Sequence, residues 1–283
     1  MCIRDRLEAV GAQVVYGVVG LKTHAKMLLI TRRERRHLVR YAHLSTGNYN
    51  ARTASLYTDI GHLSADPALT ADVENVFLHL ASHSRLPQLN KVWMAPFHLQ
   101  RRFITCIEQV GAAAERGEDA RIVLKMNALT DEALTLALVR AAQRGARIDL
   151  IVRGACILPP GLPGLTDNIQ VRSIIGRFLE HSRVYYFRAK AHEKLYLSSA
   201  DWMNRNMLRR IELAWPIDDP ALRQRIIDEC LVASLHDHRD AWLLSADGNY
   251  RRVQANAAGQ SPGMQDALMS RYSAPVRKEI EWT

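Results

Sequence analysis

Two short stretches of the chain share one local grammar. His24-Ala25-Lys26 leads into the apolar run Met27-Leu28-Leu29-Ile30, and His181-Ser182-Arg183 leads into Val184-Tyr185-Tyr186-Phe187. Each places a histidine, one spacer and a cation ahead of a strand-like run. A small polar cluster follows each: Ser45-Thr46-Gly47-Asn48-Tyr49-Asn50 in one case, Ser198-Ser199-Ala200-Asp201 in the other. Residues two apart in a strand point to the same face, so histidine and cation are presented together. A nucleophile or proton carrier beside a fixed positive charge, supplied twice, suits chemistry on a phosphate.

A neutral imidazole is nucleophilic near neutral pH because its unperturbed pKa is about 6.5. Its attack on phosphorus gives a phosphoramidate, whose transfer potential stays close to that of ATP. A serine ester would discharge that potential, so a reversible phosphoryl carrier calls for histidine. The second imidazole can manage a proton or brace the transferring group. Lys26 and Arg183 would neutralise equatorial phosphoryl oxygens. Each histidine also has a plainer reading, as a surface residue at a strand start (His24) or as hydrogen-bonded structure between Glu180 and Ser182 (His181). His192-Glu193-Lys194 precedes a strand too, and composition does not rank it below His181. His37, His43, His62, His79 and His83 lack the motif and read as structural or solvated. No cysteine–histidine spacing fits zinc.

Other residues could serve the same chemistry. Arg153 ends the strand Arg147–Val152 and is followed by Gly154; ligands of open α/β sheets bind at that edge, which favours a phosphate contact. Tyr57 could stack on a base or pack in a core. Arg210 begins a strand and can aim its guanidinium at a cleft, whereas Arg209 reads as solvent-facing.

The elements that must position these residues are legible in outline. Val14–Val19 and Ala25–Thr31 read as strands, Arg32–Arg36 as a charged turn, and His37–Leu44 as a returning strand. Asp66-Pro67 signals a helix start, and Val73, Val76, Phe77 and Leu80 carry that helix to about Ala81. Ser82–Pro96 holds two prolines and is the candidate boundary between domains. Leu99–Arg116 reads as an amphipathic helix, Arg121–Lys125 as a strand, Asp131–Arg144 as a helix capped by Thr130, and Arg147–Val152 as the next strand. That order is a βαβ unit with parallel strands. Strands near Ile169–Ile174, Val184–Phe187, Lys194–Ser198 and Arg210–Trp215 follow, then a helix from Pro220 to about Leu235. Beyond Asp240 the pattern weakens, and Gln254–Gln265 reads as loop. The expected organisation is α/β, with mixed sheets flanked by helices in two lobes. Residues 1–90 form an incomplete first domain, 91–245 a second, and 246–283 a tail.

At 283 residues the chain suits one large or two smaller domains, and 48% hydrophobic residues allow a sizeable core. Its formal charge of +9 favours polyanionic partners without choosing among them. Cys2, Cys106, Cys156 and Cys230 lack metal-binding spacing and read as free thiols in a reducing compartment. No apolar run reaches the length of a membrane span, and no signal peptide is apparent, so a cytoplasmic location is expected. Met1–Arg6 looks unlike a domain start, and the chain reads as beginning within a domain.

Gly20-Leu21-Lys22-Thr23-His24-Ala25-Lys26, the run Tyr41–Asn50, Leu56-Tyr57-Thr58-Asp59 and Leu150-Ile151-Val152-Arg153-Gly154 closely resemble the polyphosphate kinase family. So do Phe178-Leu179-Glu180-His181-Ser182-Arg183 and Ser198-Ser199-Ala200-Asp201-Trp202-Met203. The resemblance runs in order from about Leu7 to Leu235. It implies a bacterial enzyme that makes polyphosphate from ATP, reversibly and with Mg2+, through a phosphohistidine, on two lobes of phospholipase D-like fold. It assigns His24 as the phosphorylated residue, His181 as the second active-site histidine, Tyr57, Arg153 and His181 as nucleotide-binding positions, and Arg210 as a phosphate contact. The partners implied are ATP, ADP and inorganic polyphosphate, with no nucleic acid. Homo-oligomerisation of the full-length protein and peripheral contact with a membrane are further expectations. Thr31 departs from phospholipase D-type sites, which carry an acid five positions after the lysine. The domains that precede this segment in the family, with their ATP and Mg2+ contacts, are expected to lie outside this chain, which alone should turn over poorly. The rivals are a phospholipase D-like phosphodiesterase or nuclease, and a non-catalytic polyanion-binding module.

Overall fold

The computed structural model describes residues 2–82, 85–253 and 262–273. It begins with α1 (Ile3–Ala9), which buries none of its residues. The strand expected over Val14–Val19 does not form. Gly17 and Gly20 sit at left-handed φ of 81° and 80°, and Val19 is 94% exposed, so the apolar pattern has no face to bury against. β1 (Lys22–Thr23) is followed by β2 (Met27–Glu34), so the expected strand begins two residues later and runs through Arg32 and Arg33. The turn contracts to Arg35-Arg36 before β3 (His37–Ser45). After α2 (Ala51–Ala54) and β4 (Tyr57–Thr58), β5 (Gly61–Ser64) closes a three-stranded sheet, β2-β3-β5. α3 (Pro67–Ser82) starts where Asp66-Pro67 places it, with the Asp66 carboxylate accepting the Leu69 N–H at 2.7 Å.

The segment after α3 is tied down where it is described. Asp72 on α3 accepts the N–H groups of Asn90, Lys91 and Val92 at 3.1, 2.6 and 2.9 Å, and β6 (Trp93–Ala95) then joins the large sheet. His83 lies outside the described residues. α4 (Leu99–Glu115), β7 (Ala120–Met126), α5 (Glu132–Gln143) and β8 (Arg147–Val152) follow the sequence reading, and β7 and β8 are parallel. Asp131, not Thr130, caps α5, accepting the Leu134 N–H at 3.0 Å. α4 and α5 lie so close that a Cβ on Gly111 would meet the Ala141 Cα at 3.2 Å.

β9 (Ile169–Ile174), β10 (Leu179–Glu180), β11 (Val184–Ala189), β12 (His192–Ser198), α6 (Asn204–Leu208) and β13 (Arg210–Pro216) come next. The helix expected from Pro220 to Leu235 is α7 (Pro220–Ile226), a π-helical stretch Ile227–Val232, and α8 (Ala233–Leu235). The weakly patterned end carries a hairpin, β14 (Ala241–Leu244) and β15 (Tyr250–Arg252), and α9 (Met264–Ser273). These elements are too short for periodicity to reveal. Of the loop expected over 254–265, residues 254–261 lie outside the described residues, while Met264 and Gln265 begin α9.

Among the described residues, ten strands form the large sheet in the order β1-β13-β12-β11-β7-β8-β9-β14-β15, with β6 also on β13. Its central strands are buried on both faces, which is why they read as continuous apolar runs. Ile122, Leu124, Tyr185 and Phe187 pack under α4 and α5, around Phe103. Val123, Val184, Tyr186 and Leu197 face the opposite way, toward Val73 and Val76 of α3 and Ala42 and Leu44 of β3. The fold is thus mixed α/β with sheets flanked by helices. Two short pairings tie the first 82 residues into the rest: β1 runs parallel to β13 (Thr23↔Ile211), and β4 runs parallel to β10 (Glu180↔Thr58). Those two exchanges set the positions of both histidines.

Candidate active site

His24 emerges from β1 onto the edge of the large sheet. Its N–H and that of Ala25 both donate to the Ile211 carbonyl, at 2.9 and 3.0 Å. This register puts the imidazole beside Glu212 of β13: Nδ1 lies 2.8 Å from Oε1 and 3.0 Å from Oε2. Glu212 is fully buried and also accepts the Ser199 hydroxyl at 2.5 Å. A carboxylate facing Nδ1 holds the ring proton there, so Nε2 keeps its lone pair on the opposite edge. The His24 side chain is 23% exposed, open enough to be reached.

His181 is built the same way from the other direction. It follows β10, its N–H donates to the Thr58 carbonyl at 3.2 Å, and its Nδ1 lies 2.9 Å from both oxygens of Asp59, just after β4. Asp59 accepts the Thr46 hydroxyl at 2.7 Å. Gly47 is required here, since a Cβ at that position would overlap the Asp59 carboxylate. Each histidine thus takes its carboxylate from the other half of the chain, and each small polar cluster braces the carboxylate serving the distant histidine: Thr46 holds Asp59, and Ser199 holds Glu212.

The cations divide into two kinds. Arg183 is sealed in: its side chain is 3% exposed, pairs with both oxygens of Asp201 at 2.8 and 3.2 Å, and donates to the carbonyls of Thr46 and His181 at 3.0 and 2.8 Å. Its Nη1 also lies 3.1 and 3.2 Å from the ring nitrogens of His181. The expectation of a free phosphate clamp at Arg183 is therefore corrected, because its hydrogen bonds are spent on positioning His181. Asp201 answers with a carboxyl that, despite burial, Arg183 and Asn127 pull below its ordinary range. Lys26 and Arg210 keep more freedom. Lys26 donates to the His24 carbonyl at 2.5 Å and is 7% exposed. Burial lowers its pKa to about 8, with Glu212 and Asp59 opposing that shift and Arg183 and Arg210 adding to it. The Ser45 N–H donates to the Lys26 carbonyl at 3.0 Å while its neighbour Thr46 donates its hydroxyl to Asp59 at 2.7 Å, so one short segment runs from the His24 unit to the carboxylate of the His181 unit. The Arg210 Nη1 is 3.9 Å from Glu212.

Arg153 sits at the end of β8 as expected, but its Nε and Nη2 bond Asn127 Oδ1 at 3.1 and 2.9 Å, and Nε also bonds the Glu180 carbonyl at 2.8 Å. Tyr57 lies against His181, ring centroids 5.0 Å apart. His192 is exposed at the far end of β12, roughly 20 Å along the strand from Ser198, which removes it as a rival. Arg209 is exposed. Thr31 is an exposed residue of β2, paired across to Arg40. Behind His181, a buried ion pair joins Lys125 to Glu180 at 2.7 Å. Burial opposes the charge on Glu180, yet Lys125, Gln265 and Thr58 hold its carboxyl below the ordinary value. Gln265 of α9 bonds Glu180 Oε1 at 2.6 Å, so the weakly patterned tail reaches the residue next to His181. A cavity of about 850 Å³ adjoins Asp59, lined in part by His62, Lys125, Glu180 and Tyr272.

Asp59 and Glu212 were the residues the sequence reading missed. Glu212 did leave a signal: Ile211-Glu212-Leu213-Ala214-Trp215 puts a carboxylate inside an apolar run, which a core accepts only with a partner. Asp59 left none. Among the described residues, no group of three His, Cys, Asp or Glu could hold a metal, the acids here being committed to histidines and cations. No helix among them is long and apolar enough to cross a membrane, and all four cysteines are free.

The profile of polyphosphate kinase C-terminal domain 2 matches residues 92–265, and that of polyphosphate kinase C-terminal domain 1 matches residues 1–86. A polyphosphate kinase of Burkholderia ambifaria is 52% identical over 255 residues, covering 89% of this chain and 37% of that protein. One from Pseudomonas aeruginosa is 48% identical over 274 residues, covering 97% of this chain and 40% of that protein. The crystal structure of polyphosphate kinase from Porphyromonas gingivalis superposes with a TM-score of 0.88 at 34% identity, over 95% of this chain and 42% of that one. The chain spans about two fifths of the length of these relatives.

Proposed function

Because this chain belongs to the polyphosphate kinase family, we propose that it carries the transfer centre of an ATP–polyphosphate phosphotransferase that works reversibly through a phosphohistidine at His24. The His24–Glu212 pair is the observation that carries this reading. With its proton held on Nδ1, His24 offers the Nε2 lone pair to the γ-phosphorus of ATP. The N–P bond forms as the bond from that phosphorus to the β,γ-bridging oxygen breaks, and ADP leaves with the electron pair. Glu212 stabilises the positive charge the ring acquires. A terminal oxygen of polyphosphate then attacks the same phosphorus, the N–P bond breaks, and Nε2 recovers its lone pair. Arg210 and protonated Lys26 offset charge on the equatorial oxygens. His181, oriented by Asp59 and Arg183, braces the transferring group or carries a proton. Tyr57 and the Nη1 of Arg153 are the nucleotide contacts. Magnesium would arrive with the nucleotide and would offset charge on its phosphates.

In the full-length protein, ATP labelled in its γ-phosphate is expected to yield an acid-labile, alkali-stable phosphoenzyme that His24→Ala abolishes, whereas the 283-residue chain alone should turn over poorly. Normal labelling of that variant would overturn the assignment. Phosphodiester hydrolysis without ATP would point to a phosphodiesterase instead, and salt-sensitive polyanion binding with no labelled histidine to a binding module.

A further inference from the structure

β2 and β3 form an arm that starts in the site and ends far from it. β2 follows Lys26 almost directly, and β3 returns to Ser45, whose N–H donates to the Lys26 carbonyl at 3.0 Å. Eight residues of β2 make the arm roughly 26 Å long. Its far end is cationic: Arg33, Arg35, Arg36 and His37 are all exposed. The nearby acids are already used, Glu34 by Arg32 at 3.2 Å and Glu74 by Arg40 at 2.7 Å. Among the described residues the side chains of Arg33, Arg35 and Arg36 make no hydrogen bond or ion pair, and the left-handed φ of 53° at Arg35 makes a tight apex of two adjacent arginines. Three uncompensated guanidinium groups repel one another until an anion lies against them.

We propose that this hairpin tip is a second binding site for long polyphosphate, holding the body of the polymer while its end is worked on at His24. The identity of the anion rests on the proposed phosphotransferase reading; the site itself rests on the arm. A nucleotide or short oligophosphate cannot bridge roughly 26 Å from Lys26 to the tip, whereas an extended polyanion can. Arginine suits the task, since its planar fork grips phosphate oxygens two at a time.

The test compares the 283-residue chain with the triple variant Arg33→Gln, Arg35→Gln, Arg36→Gln and with the single reversal Arg36→Glu, all checked for an unchanged melting transition. Long-chain polyphosphate and tripolyphosphate are titrated over a range of salt. Losing three phosphate contacts should flatten the slope of log K against log salt by about 2 and weaken long-chain binding about tenfold. Tripolyphosphate binding should be unchanged, and Arg36→Glu should shift long-chain binding in the same direction. Equal long-chain affinity in parent and triple variant would overturn the proposal. So would tip-dependent binding of anionic phospholipid vesicles alongside tip-independent polyphosphate binding, which would make the arm a membrane contact. Absence of a phosphohistidine in the full-length protein together with tip-dependent polyphosphate binding would defeat the catalytic reading and leave this site standing.

Discussion

Glu212→Gln is the substitution that bears most directly on the transfer chemistry. The carboxylate is fully buried, faces His24 Nδ1 at 2.8 Å and accepts the Ser199 hydroxyl at 2.5 Å. The amide has the same shape, so the fold should survive, as a thermal melt will verify. With its single oxygen at the Oε2 position, where Ser199 donates, its NH2 group replaces Oε1, the atom nearest Nδ1 at 2.8 Å. The ring can accept that N–H only if its own proton moves to Nε2, and the attacking atom then has no lone pair. Returning the proton forfeits a charge-assisted hydrogen bond of about 1.5–3 kcal/mol, and the forming imidazolium also loses its counter-charge. Where the same histidine–carboxylate logic operates in a hydrolase, the isosteric amide lowers turnover about ten-thousandfold. In the full-length protein, the initial rate of His24 phosphorylation from ATP, read by acid-labile label, should therefore fall about a thousand- to ten-thousandfold. A folded variant that labels within about threefold of the parent would mean Glu212 does not set the tautomer, and the reasoning from geometry to mechanism would fail.

Two further outcomes follow from charges around the site. Lys26, with its pKa lowered to about 8, should lose its charge as pH rises through that value, so kcat/KM for labelling should decline above it, and Lys26→Arg should remove the inflection. The unfolded chain binds the extra proton between about 8 and the ordinary lysine value near 10.4, so in chemical denaturation this group should make the fold more stable, not less, as pH rises across that window. Lys125→Met strands the Glu180 carboxylate and should cost about 3–5 kcal/mol in denaturant titration. Because the Glu180 carboxyl is held low, that stability is present above the unfolded carboxylate range and is lost as pH falls through the lowered value; parent and variant should converge in acid.

Regular, densely patterned stretches could be read without coordinates. Arg147–Val152 and Ile169–Ile174 form strands with the expected bounds, and the β7-α5-β8 unit is parallel as its order requires. Buried central strands are apolar on both faces, and the amphipathic helices over them repeat at helical spacing, so local sequence suffices there. It did not suffice at Val14–Val19, where left-handed glycines cancel an apolar run, or in the tail, where β14, β15 and α9 depend on packing against existing surfaces.

The sequence by itself determined the chemical units: two histidines, each two residues before a cation and each followed by a small polar cluster. Tertiary structure decided what those units are joined to. His24 meets Glu212 across 188 positions, and His181 meets Asp59 across 122, because β1 and β4 pair with strands of the other half. Local periodicity specifies which way a side chain points within its own element. It carries no information about which distant strand supplies the neighbour, and that choice turns Arg183 into a buried support and gives each imidazole its carboxylate.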